Sequence, residues 1–131
     1  MTEQYQWACA YERFLACLSV WVGLAMVAAD PAVGYLAGFL ESGGIPREVF
    51  SVAATGSGLA ILWLTRKMTP TRMRARAMLS CVAFGYWIAG ATAFLIAGKY
   101  LGGLIWAAFA LLELFVYWTL QTVALWTPRA L

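Results

Sequence analysis

The chain contains no histidine. That removes the commonest general base, the commonest transition-metal ligand and the usual axial ligand of haem. Charge is scarce as well. Asp, Glu, Lys and Arg make up 11% of the 131 residues, against about 25% in an ordinary soluble domain. Too little polar surface remains to cover a water-soluble globule. Cysteine is sparse: Cys9, Cys17 and Cys81 are far apart and form no C-x-x-C pair, so zinc-ribbon and thioredoxin-like arrangements are excluded. All three read as free thiols, and a thiol inside an apolar run behaves as a small hydrophobe.

Other catalytic and binding patterns are also missing. The serines have no imidazole to activate them. Gly43-Gly44 and Gly102-Gly103 are turn elements, and neither belongs to a phosphate-cradling G-x-G-x-x-G or Walker pattern. The carboxylates of Asp30, Glu41 and Glu48 do not have the spacing of a calcium loop. An enzyme is therefore not expected, nor is a cofactor or a metal site. The opening Met-Thr-Glu-Gln-Tyr-Gln has no basic n-region, so a cleaved signal peptide is not expected.

Apolar sequence is abundant. Hydrophobic residues reach 63%, with seven Trp, seven Phe and six Tyr, and the mean hydropathy is +0.77. The apolar runs predict an all-α integral membrane protein, a single domain over 1–131. Four transmembrane helices are expected at about 7–29, 46–65, 77–98 and 101–126, each near the ~20 residues that cross a bilayer. Asp30-Pro31 ends or kinks the first, since proline lacks an N–H and disfavours helix in the residue before it. Residues 31–41 are too short to span. They read as an interfacial helix, with an extension of the first span as the alternative. Pro46 and Glu48 suit the first turn of the second span. The short Lys99-Tyr100 connection makes the last two spans antiparallel neighbours.

Between the second and third spans lies a basic segment, 66–76, holding Arg66, Lys67, Arg72, Arg74 and Arg76, five of the nine Lys/Arg residues. Cationic loops stay on the cytoplasmic side of a bacterial-type inner membrane. With that loop inside, Arg13 and Arg129 are also inside, and only Arg47 and Lys99 lie outside. Both termini are then cytoplasmic, an N-in/C-in compact bundle. Trp7, Trp63 and Trp126 fall at the cytoplasmic interface that indole rings favour. The basic loop is expected to face anionic lipid headgroups or a partner. It has no interleaved aromatics for stacking on bases, so nucleic acid is not an expected ligand.

Two features bear on association and function. The third span carries small residues every four positions: Ala77, Cys81, Gly85, Ala89, Ala93 and Ala97. Small residues let membrane helices approach closely, and the second span offers Ala54 and Gly58. The simplest bundle packs these two surfaces together; the alternative is a contact with another subunit. The fourth span carries Glu113 in its middle, with Tyr117 and Gln121 one and two turns on, along the same face. An intramembrane carboxylate marks an ion or substrate path by default. A protonated Glu113 bonded to Tyr117 or a neighbouring helix would instead be structural.

In length and hydropathy the chain resembles phage holins, a likeness of type carried by no motif. It departs from the small multidrug exporters, whose essential glutamate is in the first span, and from small fluoride channels, whose Gly-rich stretch leading into Arg-Tyr is missing. The expected function is a non-catalytic membrane module acting through helix association with itself or with other membrane subunits. A holin-like pore former, or a subunit of a phage or secretion complex, would fit. The alternative is a small ion- or proton-coupled transporter or channel using Glu113.

Overall fold

The structure, a computed structural model, describes residues 3–28, 34–67 and 69–126. Within them the chain is all-helical. The helices are α1 (Glu3–Val27), α2 (Gly34–Ser42), α3 (Arg47–Leu64), α4 (Pro70–Ile96) and α5 (Tyr100–Trp126). Three of them, α1, α4 and α5, are long and apolar enough to cross a membrane, which suggests a membrane-embedded protein. With 18 residues, α3 is shorter, and Arg47, Glu48 and its Ser/Thr/Gly stretch dilute its apolar character. The Asp30-Pro31 break and Arg129 lie outside the described residues, as does the side chain of Trp126.

Local signals set the boundaries. Thr69 is extended (φ −126°, ψ 153°) and its side chain accepts a hydrogen bond from the Arg72 N–H at 3.2 Å. It caps α4, and Pro70 occupies the first turn, where its missing N–H costs nothing. The basic segment is therefore not a loop from 66 to 76: Arg72, Arg74 and Arg76 are already helical. At the other end of α4, Gly98 turns left-handed (φ +76°). Lys99 N–H then bonds Phe94 O at 2.8 Å and Gly98 N–H bonds Leu95 O at 3.0 Å, satisfying carbonyls the helix leaves open. Gly44 (φ +82°) closes α2 in the same way, with Ile45 N–H on Leu40 O at 2.9 Å.

The helices associate as two close pairs, α1 with α3 and α4 with α5. Glycines make both contacts. A methyl group on Gly58 of α3 would lie 2.6 Å from the Ala16 carbonyl oxygen of α1, and one on Gly23 would lie 2.9 Å from Ser51 O of α3. In the second pair, Gly90 faces the Trp106 ring, while Gly102 and Gly103 face Phe94 and Leu95. Ala54 and Gly58 are buried, and the Gly58 surface is spent on α1 rather than on α4. The four-residue stripe of α4 is not one face either. Ala77 and Ala93 are buried and Ala89 is half-buried, whereas Cys81, Gly85 and Ala97 are exposed. At 3.6 residues per turn each four-residue step advances about 40°, so a long line of such steps winds around the helix.

Two apolar clusters fill the interior. The larger joins Leu15, Val22 and Met26 of α1 to Phe50, Ala83, Trp87 and Trp106, with Ala37 and Leu40 of α2 covering it. The smaller joins Tyr5, Met73, Ala77, Val116 and Leu120. Along α1, α4 and α5 the buried polar residues Glu12, Ser80 and Glu113 fall between these two clusters, and buried Arg76, flanked by Met73 and Ala77 of the smaller one, reaches Glu12 from its edge.

Candidate functional site: a buried charge layer

Three ionisable groups occupy that layer. Glu12 is 1% exposed, Arg76 2% and Glu113 2%. Arg76 lies on the inward arc of α4 with Met73 and Ser80, both buried and three residues before and four after it, as one helix face requires. Glu12 shares an arc with Ala8, Leu15 and Ser19 of α1, which are buried as well.

Arg76 Nε donates to Glu12 Oε2 at 2.9 Å and to Oε1 at 3.2 Å, and Nη2 donates to Oε1 as well. This is the planar fork-to-carboxylate geometry that guanidinium favours. Nη1 approaches the Tyr5 hydroxyl at 3.4 Å, and Nη2 lies 3.5 Å from Cys9 Sγ. Arg76 is thus withdrawn from the set of lipid- or partner-facing cations, for a physical reason: an inward guanidinium has found a matched buried carboxylate. Arg66, Lys67 and Arg74 are exposed. The Arg72 guanidinium stands 4.5 Å from the centre of the Trp63 ring, a cation–π contact.

Glu113 has a different environment. Trp87 Nε1 of α4 donates to its Oε1 at 3.1 Å. Tyr117, the expected partner, instead accepts from Gln121 Nε2 at 3.2 Å. Ser80, fully buried, lies beside Glu113, and Glu12 is within electrostatic reach. Ser80 Oγ makes no regular hydrogen bond, and the Glu113 carboxyl is the polar group within its reach. Trp87 is held by edge-to-face contacts with Trp106 (5.1 Å) and Phe109 (5.2 Å), so the indole N–H is fixed where the carboxylate meets it.

Beyond this layer, the Tyr86 hydroxyl is hydrogen-bonded to Ser19 Oγ and lies 3.5 Å from Ser57 Oγ. Ser51 Oγ donates to Gly23 O at 2.6 Å. Polar links from α1 to α4, α1 to α3 and α4 to α5 therefore recur along the interior. Among the described residues no group of three Cys, Asp or Glu side chains is placed to hold a metal, and the three cysteines are free. No known protein family, curated protein or solved structure matches the chain.

Chemically, the layer offers two things: a matched ion pair and a carboxyl group served only by neutral donors. Sequence reading finds Glu113 from its isolation in an apolar run. It misses the Glu12–Arg76 pair, because both residues sit near the ends of apolar runs and read as headgroup or loop charges. The usable signal is the burial arc: each is three or four residues from apolar or small positions on the inward side.

Proposed function

We propose that the chain is a non-catalytic membrane module that works by associating with copies of itself or with other membrane subunits. In this reading α1, α3, α4 and α5 all span, both termini and Arg66, Lys67, Arg72 and Arg74 face the cytoplasm, and the membrane is a bacterial-type inner membrane. The distribution of cations supports that orientation. A holin-like pore former and a subunit of a phage or secretion assembly are the two settings that suit it.

The observation carrying the reading is the outward face of α4. Cys81 and Gly85 are exposed there, and a methyl group built on Gly85 would meet nothing within 4 Å. Exposed Met78, Val82 and Ile88 flank them. An open glycine between apolar side chains lets a second helix backbone approach closely. Gly23, Gly58, Gly90, Gly102 and Gly103 already face internal neighbours, while Gly56 of α3 is open like Gly85. The test is subunit counting in nanodiscs, with oxidative cross-linking through Cys81. Association predicts a defined oligomer cross-linked at Cys81 and reduced to monomers by Gly85→Leu. A wild-type monomer without cross-links would remove the proposal.

One observation favours a second reading, the ion- or proton-coupled transporter. Glu113 lies inside the helices with no cation of its own, the state expected of a group that exchanges one.

A further inference from the structure

We propose that Glu113 and Ser80 form a binding site for one exchangeable monovalent cation, occupied by a proton at neutral pH. Charge count and geometry lead there together. The buried layer holds two carboxylates, Glu12 and Glu113, against one guanidinium, Arg76. Arg76 is committed: Nε and Nη2 serve Glu12, and Nη1 faces Tyr5. One negative charge is left without a partner in an apolar surrounding, and an isolated buried carboxylate is neutralised rather than tolerated. The second, independent observation is Ser80. It is fully buried beside Glu113, its Oγ makes no regular hydrogen bond, and the Glu113 carboxyl is the polar group within its reach. A proton on the Glu113 carboxyl brings the layer to zero net charge, and the Ser80 hydroxyl beside it, able to accept from the acid or donate to the carboxylate, completes the site.

The groups facing Glu113 are few. From α4 they are Trp87, Ser80 and, within electrostatic reach, the Tyr86 hydroxyl; from α1 there is Glu12, tied to Arg76. On α5 itself, Tyr117 is taken by Gln121. The charged residues of α2 and α3 are remote: Glu41 and Arg47 pair with each other at the turn joining those helices, beside exposed Glu48. Lys67 and Lys99 are exposed at turns outside the helices. Among the described residues no side chain other than Arg76 brings a positive charge to the layer.

The experiment is infrared spectroscopy of the full chain in nanodiscs, with isotope-labelled glutamate to identify carboxyl bands. The expected result is a protonated-carboxyl C=O band at neutral pH that shifts in deuterium oxide and is lost in Glu113→Gln. Glu12→Gln leaves one carboxylate against one guanidinium, so the Glu113 proton should be released and the band lost. A sodium series at fixed pH separates the occupants. Saturable loss of the band means sodium competes for the same place, and an unchanged band means the site takes protons alone; either supports the site. Absence of any Glu113-dependent band at neutral pH, with no sodium effect, overturns it. So does a band that persists in Glu12→Gln. Should Glu12→Gln not fold, the Glu113→Gln comparison and the sodium series still decide.

Discussion

Arg76 of α4 grips Glu12 of α1 with both Nε and Nη2, the Nε–Oε2 bond being 2.9 Å. Each of the two helices packs mainly against another partner, and the Ser19–Tyr86 hydrogen bond is a second polar link between them. The ion pair is thus a cross-tie between the α1–α3 pair and the α4–α5 pair. Such a tie contributes little net stability, because desolvation of both ions offsets their attraction, yet removing one partner strands a buried charge.

That asymmetry gives the first prediction. Arg76→Met should destabilise the protein by about 3–5 kcal/mol, and Glu12→Gln should be similarly harmful, while the double variant should recover much of the loss. Unfolding titrations in detergent, analysed as a double-mutant cycle, measure the coupling. Additive losses would mean that the pair does not act as a unit. Arg74→Met, at an exposed cation two residues away, should fall within about 0.5 kcal/mol of wild type.

The glycines divide into two functional classes. Gly58→Ala places a methyl group against the Ala16 carbonyl oxygen at 2.6 Å, and such overpacking should cost about 1–3 kcal/mol. Gly85→Ala has open space around it and should be neutral or stabilising by about 0.5–1 kcal/mol, since alanine suits a helix interior better. Thermal unfolding of the two variants checks the contrast. Under the association proposal, Gly85→Leu should leave the monomer intact and reduce assembly, so stability and oligomeric state separate.

Topology is tested by cysteine labelling in a cysteine-free background. A probe at position 43, in the turn after α2, should react with a membrane-impermeant reagent from the periplasmic side. A probe at position 71, in the first turn of α4, should react only after the membrane is opened. Reversed labelling would invert the orientation drawn from the Lys and Arg distribution.

How legible was this architecture in the sequence? The apolar runs place α1, α4 and α5 well, because bilayer-scale hydropathy survives in any packing arrangement. Boundaries are less visible where charges enter a helix. The first span is expected at about 7–29, yet α1 starts at Glu3, because Tyr5, Ala8 and Glu12 turn inward and are buried. The third is expected to start at 77, yet α4 starts at Pro70. Thr69-Pro70 is a readable cap, overshadowed by the five cations around it. The α4 stripe divides between an inward and an outward side, because a line of four-residue steps winds around the helix: Ala77 and Ala93 are buried, while Cys81 and Gly85 are exposed. The true contacts, Gly90 on Trp106 and Gly58 on Ala16, pair a small residue with whatever faces it on another helix. One chain carries no signal for that pairing. The same limit hides Arg76: its partner is 64 residues away, and only the fold brings them together.

The last prediction separates association from transport at Glu113. Glu113→Gln keeps the volume and an acceptor for the Trp87 N–H, and loses only the ability to ionise. If Glu113 serves the packing of α5 on α4, assembly and stability should stay close to wild type. Glu113→Leu is different, because it leaves the buried Trp87 N–H without an acceptor, at a cost of about 1–3 kcal/mol. Trp87→Phe removes that donor, so adding Glu113→Leu to Trp87→Phe should cost less than adding it to wild type, and the shortfall measures the Trp87–Glu113 hydrogen bond. Transport makes another demand on the same variants. If Glu113 carries protons across the bilayer, liposomes loaded with a pH-sensitive dye should show flux with the wild-type chain and none with Glu113→Gln, whatever its stability. Among the described residues Glu12 is the other buried carboxylate, and Arg76 already holds it. A Gln variant that assembles normally in vesicles without flux, beside a wild type that conducts, would replace the association reading with the transporter. Equal behaviour of the two, with no flux in either, leaves Glu113 as part of the scaffold that presents α4 to its partners.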